Sequence, residues 1–290
     1  WQGKNNKLTP IELIPITTLN VGSPWRLYTE RIFGLSGGYP KGNQSGTVMA
    51  LACVGNPDKY FNDFYEGFVV GGGGHNPKVW DNCTKYKPIA ESSEQDKFDV
   101  AASLQKATEV VIREFMDRYI KQHQPKNICL SGGVSLNCLM TGKMLDWWPN
   151  INFYADPIPY DGGLCLGASR YLWHHILDNP RIKWKDNTTS YLGPTYDNED
   201  ILEALNESKC NWTKTTDKEV INLICDQKIV SVFGGGSESG RRALGNRSIL
   251  ADPRNENMKD IINKKVKHRQ WFRPFAPSIL REEVKNWFEH

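Results

Sequence analysis

The clearest periodicity in the chain runs from Phe98 to Ile120. There Leu104, Ala107, Val111, Phe115 and Tyr119 recur at spacings of three and four and so share one helical face, flanked by Arg113, Glu114, Asp117 and Arg118. This pattern predicts a core-packing helix. It leads into a short apolar run, Asn127-Ile128-Cys129-Leu130, which reads as a buried strand. The run stops at Ser131-Gly132-Gly133, and an apolar pattern of helical period opens at Leu136. Ile151 to Ala155 repeats the strand signal. Pro157 and Pro159 end it, Tyr160-Asp161-Gly162-Gly163 turns the chain, and a helix with small residues at Gly167, Ala168 and Ser169 follows. Helix, strand, helix, strand, helix predicts an α/β layer. Upstream, Ile11 to Leu19 carries prolines and reads as strand or loop, Leu27 to Leu35 as a short helix, and Thr47 to Ala52 as an apolar turn or helix ending at Gly55. Gly71 to Gly74 reads as loop, since His75-Asn76-Pro77 lacks the lysine and hydroxyl of a phosphate loop.

Beyond His174-His175 the pattern turns polar. Asp178 to Ser190 carries turn chemistry and reads as a linker. A second unit opens near Tyr191-Leu192-Gly193-Pro194, with helices over Asn198 to Asn206 and Lys218 to Cys225, a strand over Lys228 to Phe233, and a glycine-rich loop over Gly234 to Gly240. The domain boundaries predicted are therefore 1–185 and 190–290. The two adjacent histidines would point about a third of a turn apart on a helix, which favours surface or packing roles over a shared metal.

Composition adds limits. The chain has 290 residues, globular in composition, and a net charge of +3, too small to argue by itself for nucleic acid or a membrane surface. No apolar run is long enough to span a bilayer and no signal peptide is visible. Seven cysteines lie far apart without a Cys-x-x-Cys. Several sit in apolar runs and are expected to pack as small hydrophobes, which fits a reducing cytoplasm better than a disulfide framework or zinc site. The start at Trp1 and the halt at Phe288-Glu289-His290 suggest a piece of a longer protein, or one partner of a split one.

Chemistry concentrates in two places. A strand ending in a glycine pair before a helix brings bare backbone N–H groups up to a phosphate or nucleoside. Asp161, between strand and helix, could hold a metal or a ribose hydroxyl. Its alternative is a helix N-cap, the commoner use of aspartate there. The second place is the basic region Arg241, Arg242, Arg247, Arg254, Lys264, Lys265, Lys267, Arg269 and Arg273. Lys264-Lys265 reads as a solvated face. In Arg242-Ala243-Leu244-Gly245-Asn246-Arg247-Ser248 the arginines alternate with apolar residues, so at least one is expected to be partly buried and to seek an anion.

These residues resemble the O-carbamoyltransferases of the NodU, CmcH and TobZ type. Asp99 through Gln105, Ser131-Gly132-Gly133-Val134 through Asn137, and Asp161-Gly162-Gly163 through Gly167-Ala168 look like the second half of that family's actin-like ATPase (ASKHA) domain. Tyr191-Leu192-Gly193-Pro194, Arg242 through Arg254 and Asn263 through Pro277 look like its YrdC-like α/β domain. The resemblance implies an α/β fold built from these two parts, with the N-terminal half of the actin-like domain missing. It implies a two-step reaction: carbamoyl phosphate and ATP, with Mg2+, give carbamoyl-adenylate, and a small-molecule hydroxyl, such as that of a sugar or secondary metabolite, takes the carbamoyl group. By the same resemblance Lys267 and Arg269 match a Lys-x-Arg anion site joined by Arg242, Arg247, Ser248 and Arg273; Gly132, Gly133, Asn137 and Gly162 line the nucleotide pocket; and Asp161 is a metal ligand, which displaces the capping alternative. The family shares that metal, Fe2+ or another divalent ion, with two histidines four apart. No His-x-x-x-His occurs here, so the imidazoles would come from a missing segment. Further departures are Gly236, Arg241, Gln270, Thr47 and Ala50, where the family carries arginine, proline, glutamate, lysine and glycine. A homodimer or a complementing N-terminal segment is a further expectation. Two other readings stay open: a nucleic-acid or tRNA base as acceptor, and a non-catalytic nucleotide-binding module.

Overall fold

The computed structural model describes residues 1–15, 18–37, 42–69, 76–181 and 189–288. The Gly71 to Gly74 loop, two positions of the Ile11 to Leu19 stretch and most of the Asp178 to Ser190 segment fall outside the described residues. The chain divides into two units, Trp1–Thr189 and Ser190–His290.

The first unit opens with an antiparallel hairpin of β1 (Gln2–Lys4) and β2 (Lys7–Thr9). α1 (Gly22–Arg31) starts five residues before the predicted helix, because the Asn20 side chain accepts the Ser23 N–H at 3.0 Å and nucleates the first turn. A small antiparallel pair, β3 (Ser36–Gly37) and β4 (Gly42–Asn43), precedes α2 (Ser45–Leu51), whose 3-10 extension over Ala52–Val54 stops at Gly55. α3 (Phe61–Val69) and α4 (Pro77–Ser92) follow; Asn76 caps α4, with Pro77 at its first position.

α5 (Glu94–His123) is the axis of the unit. Ser93 caps its start by accepting the Asp96 N–H, and Gln124 ends it in the left-handed region at φ 44°. Leu104, Ala107 and Val111 are buried as their spacing predicts. From Phe98 to Glu109 nearly every side is buried, because α2 to α4 and the Ala52–Val54 turn pack around it, so polar residues are buried there too and each is paired. Asp99 accepts from the Asn56 N–H, Gln95 and Lys59. Ser103 accepts the Tyr60 N–H, and Thr108 accepts the Trp25 indole N–H at 2.7 Å. Tyr28, Phe64, Phe68, Tyr86 and Leu104 close the core.

β5 (Asn127–Leu130) and β6 (Asn152–Ala155) pair in parallel, Asn127 opposite Asn152 and Leu130 opposite Ala155. α6 (Cys138–Trp147) crosses between them, as a parallel pair requires. Met140, Met144 and Trp148 pack it against Ile112, Met116, Leu130 and Phe153. α7 (Leu164–Arg170) then runs into a π-helical turn, Tyr171–Ile176.

The second unit holds α8 (Asn198–Glu207) and α9 (Asp217–Cys225), both opened by capping boxes. β7 (Val230–Phe233) pairs antiparallel with β8 (Arg247–Leu250). The strand begins two residues after the predicted start because Gln227, at φ 66°, still belongs to a turn. α10 (Met258–Lys265) and a short α11 (Val284–Trp287) complete the unit. Mixed α/β character is thus observed, with small sheets.

The thiols depart from expectation. Cys83 is buried, and burial pushes it up to about 11, but the other six cysteines are exposed. Cys129 and Cys138 lie where a strand and a helix end at an open rim, so the apolar runs around them do not close over the sulfur.

Candidate functional site

In the second unit the loop before β8 is organised by one carboxylate. Glu238 Oε1 accepts the N–H groups of Leu244 at 2.8 Å, Asn246 at 2.9 Å and Arg247 at 3.1 Å. Those bonds, Leu244's first, hold the Glu238 carboxyl down to about 2. Asn246 donates to the Gly236 carbonyl at 2.7 Å, and the buried Ser248 hydroxyl accepts the Gly245 N–H at 2.9 Å.

Arg247 is half-buried and donates to backbone carbonyls. Its Nη1 donates to Gly234 O at 2.6 Å and Asn246 O at 2.9 Å, and the guanidinium lies 3.7 Å from the Phe233 ring centre. The Gly235 and Pro194 carbonyls lie at 3.4 and 3.5 Å, so four backbone oxygens and a ring face surround the guanidinium.

Arg273 lies within electrostatic reach of Arg242 and of Arg269. Burial lowers the Arg273 guanidinium from its ordinary value and Arg242 lowers it further; burial likewise lowers Arg269, with Arg273 adding to it. Among the described residues none of the three has an ion pair. Arg269 is fixed by Asn263, whose Oδ1 accepts its Nε–H at 2.7 Å, and by the Phe275 ring at 4.4 Å. Asn263 is buried, and its Nδ2 donates to Arg273 O at 3.0 Å, so one amide sets two of the arginines. Arginines stay charged at any ordinary pH, so such a trio carries repulsion that an oxyanion relieves. Arg269 also borders a cleft of about 380 Å³ that includes His268 and Trp271. Lys267 is exposed, and among the described residues neither it nor Arg247 is hydrogen-bonded to the trio.

In the first unit the two glycine turns stand side by side. Gly132 N–H donates to Pro159 O at 2.6 Å, bridging the carboxyl ends of β5 and β6. Open parallel strand ends of this kind are where ligands of α/β proteins sit. Gly132 has φ +99°, and nothing lies within 4 Å of a Cβ built on Gly132 or Gly133, so bare backbone faces open space there. Gly163 is different: a Cβ would lie 2.2 Å from Ile158 O, so packing alone demands glycine. Gly162 sits against the Tyr160 ring. Asn137 is committed to structure. Its Oδ1 caps α6 by accepting the Met140 N–H at 3.2 Å, and its amide pairs reciprocally with Gln105 at 2.9 and 3.1 Å. Gln105 reaches on to Glu109, which pairs with Lys143 at 2.6 Å.

Asp161 is exposed and caps neither the 3-10 turn it begins nor α7, so the capping alternative fails. Among the described residues no three His, Cys, Asp or Glu side chains gather where they could hold a metal ion. A divalent transition metal therefore does not fit on this chain's own described donors, and no chemical step is routed through one.

Residues 1–170 match the family described as Carbamoyltransferase N-terminus and residues 221–290 match Carbamoyltransferase C-terminus. The chain belongs to the carbamoyltransferase family. An uncharacterised protein of Synechocystis is 32% identical over 318 residues, covering 100% of this chain and 50% of that protein. Nodulation protein NolO of Bradyrhizobium diazoefficiens is 34% identical over 258 residues, covering 83% and 46%. Nodulation protein U of Rhizobium tropici is 29% identical over 193 residues, covering 66% and 32%. The chain thus spans half or less of the length of these relatives. The N-terminal family match begins at residue 1.

Three residues central to this carbamoyltransferase chain's site were not singled out from sequence. Glu238 bonds amides six to nine positions away, a spacing without a motif. Gln105 looks like any polar residue of an amphipathic helix. Asn263 carried a usable signal: an amide on α10 one position after Ile262, flanked by lysines, on the helix's buried side. No described helix is long and apolar enough to cross a membrane.

Proposed function

We propose that the full-length protein transfers a carbamoyl group from carbamoyl phosphate, through carbamoyl-adenylate made with ATP and Mg2+, to a hydroxyl of a small-molecule acceptor. On this reading the first unit is the later part of an actin-like domain and the second is YrdC-like. What supports it is the buried Asn263 holding Arg269 and the Arg273 backbone, with Arg242 in electrostatic reach and none of the three ion-paired among the described residues, in a chain of this family.

The chemistry needs those charges. Water releases phosphate from carbamoyl phosphate and leaves carbamate. A carbamate oxygen then attacks the α-phosphorus of ATP, a P–O bond breaks, and pyrophosphate leaves. Negative charge grows on the oxygens around phosphorus, and preorganised guanidiniums in a water-poor setting stabilise it. Arg269, held by Asn263 and Phe275, meets that requirement; Arg242 and Arg273 complete the oxyanion contact, and Lys267 is free to reach in. Arg247 and Ser248 act by holding the loop behind Arg242. In the second step the acceptor oxygen attacks the carbamoyl carbon and AMP leaves, its proton passing to a base. The open backbone at Gly132 and Gly133, beside Asp161 and Gly162, is the surface we assign to the nucleotide, with Asn137 positioning the helix that follows.

Pyrophosphate release by the full-length protein should depend on carbamoyl phosphate as well as ATP. An Arg269→Ala protein should release it about a hundredfold more slowly. Equal release with and without carbamoyl phosphate would overturn the proposal.

A further inference from the structure

The reaction proposed above leaves unused a cleft of about 440 Å³ in the first unit, bounded by the β1–β2 hairpin and the π-helical turn after α7. The cleft is built, not incidental. The hairpin is clamped onto the turn by three bonds: Lys7 Nζ donates to His175 O at 2.6 Å, Leu8 N–H to His175 Nδ1 at 2.9 Å, and Asn6 Nδ2 to Asn179 O at 3.0 Å. π-helical turns are rare and cluster at functional sites. This one stacks Tyr171 on His175, with ring centres 4.4 Å apart at 12°, and so offers a flat ring face.

The two histidines are wired oppositely. His175 Nδ1 accepts a backbone N–H, so in its neutral form the proton sits on Nε2. His174 Nδ1 faces the Asn179 carbonyl at 3.2 Å, so there the proton sits on Nδ1 and Nε2 is left as an acceptor. Three cations, Lys7, Arg170 and Arg181, line the cleft, and among the described residues no carboxylate does. Lys7 is also paired with Asp178 at 3.5 Å, and Arg181 spends one of its five donors on Asn5 O. The guanidinium of Arg170 has no ion pair among the described residues. Finally, Thr189 is buried and lines the same cleft, where the Tyr154 phenol is its polar neighbour.

We propose that this cleft is a second binding site, taking a small polyol or sugar that carries a phosphate. The unopposed guanidiniums recognise the oxyanion bidentately. The Thr189 hydroxyl and His174 suit a ligand hydroxyl, and the Tyr171–His175 face suits a flat ring edge. The volume is that of an ordinary small-molecule site. This inference does not depend on the carbamoyl chemistry.

The test is an NMR titration of the full chain with glucose 6-phosphate, glucuronate and glucose, following the imidazole nitrogens of His174, His175 and His268. His268 borders the cleft beside Arg269 in the other unit, so the two sites report separately. Glucose 6-phosphate should shift His174 and His175 saturably, and glucose should not. A comparable response to glucuronate would assign the recognition to any oxyanion and retain the site. Arg170→Gln should weaken the response about tenfold or more, and Thr189→Val, which keeps the shape, by a smaller factor. Shifts confined to His268, or equal shifts with glucose, would overturn the proposal whatever becomes of the reaction assigned to the arginine trio.

Discussion

In the first unit Tyr28, Phe64, Phe68, Tyr86 and Leu104 are sealed between helices, and buried polar groups such as Asp99 and Thr108 are paired inside that seal. In the second unit the buried apolar side chains among the described residues are Met258 and Ile262, and α8 and α9 bury none. Its order around the arginines comes instead from polar groups bonded to backbone: Glu238 to three N–H groups, Arg247 to carbonyls, Asn263 to Arg273 O. One unit is a scaffold held by exclusion of water. The other is a set of loops pinned by directed bonds around arginines that have no ion pair among the described residues. Anions should therefore act mainly on the second, and apolar truncation mainly on the first.

The sharpest way to break that contrast is Phe64→Ala. A fully buried ring on α3, in T-shaped contact with Tyr28 at 5.2 Å, should cost about 3–5 kcal/mol in denaturant unfolding of the first unit. Hydrogen exchange around Glu238 should be unchanged. A common loss of protection across both units would show that they fold as one and that the distinction is false.

Next in size is the arginine trio. Arg273→Ala should weaken inorganic phosphate binding in the second unit, read by the His268 resonance, about ten- to hundredfold, and raise its unfolding midpoint when no anion is present, because a repelling charge has gone. Loss of stability instead would mean that the charges are already neutralised within the chain.

Acid separates the units through different groups. In the first, Asp96 is held low by Lys59, then by Ser93 and Ser92. For Asp63 and Asp99 burial opposes ionisation, but Lys85 and Tyr86 in one case, and the Asn56 N–H and Lys59 in the other, outweigh it. In the second unit Glu238 and Asp252 are both held down to about 2, by the Leu244 N–H and by Arg254 respectively. A depressed carboxylate contributes stability above its unfolded value, near 4, and loses it as pH falls through the folded value. Exchange of the Leu244, Asn246 and Arg247 amides should accordingly quicken as pH drops from about 4 towards 2, after correction for intrinsic rates. In Glu238→Gln that pH step should vanish. A step of unchanged size would show that another group holds the loop.

The smallest effect expected is at Asn137→Ala, which removes the α6 cap and strands the Gln105 amide. It should cost about 1–2 kcal/mol in the first unit. A value near zero would free Asn137 from its capping role and return it to direct ligand contact.

What the sequence made legible follows the same division. The α5 stripe, the two strands, the glycine turns and the helices of the second unit announce themselves through period, caps and turn residues, which are local. α5 outran its stripe because Ser93 caps it ahead of the first apolar position and Gln124 ends it only beyond the last. Asp161 illustrates the limit of local reading: the same Asp-Gly-Gly suits a cap, a metal or a ribose, and only coordinates reject the first. The arginine trio was half legible. The region could be read as anion-binding, but which guanidiniums meet depends on Asn263 and on the loop that Glu238 ties, and neither tie has a sequence period. Cysteines misled because an apolar run shows that a strand has an inner face, not which side its sulfur takes.

The most direct test of the central claim is to incubate the full-length protein with Mg-ATP and carbamoyl phosphate and quantify carbamoyl-adenylate by rapid-quench mass spectrometry, alongside a protein carrying Arg269→Ala and Arg273→Ala. The unsubstituted protein should accumulate the adenylate in step with pyrophosphate, and the doubly substituted protein should form at least about a hundredfold less while keeping its unit 1 exchange pattern. No adenylate from the unsubstituted protein, or equal amounts from both, would contradict the account.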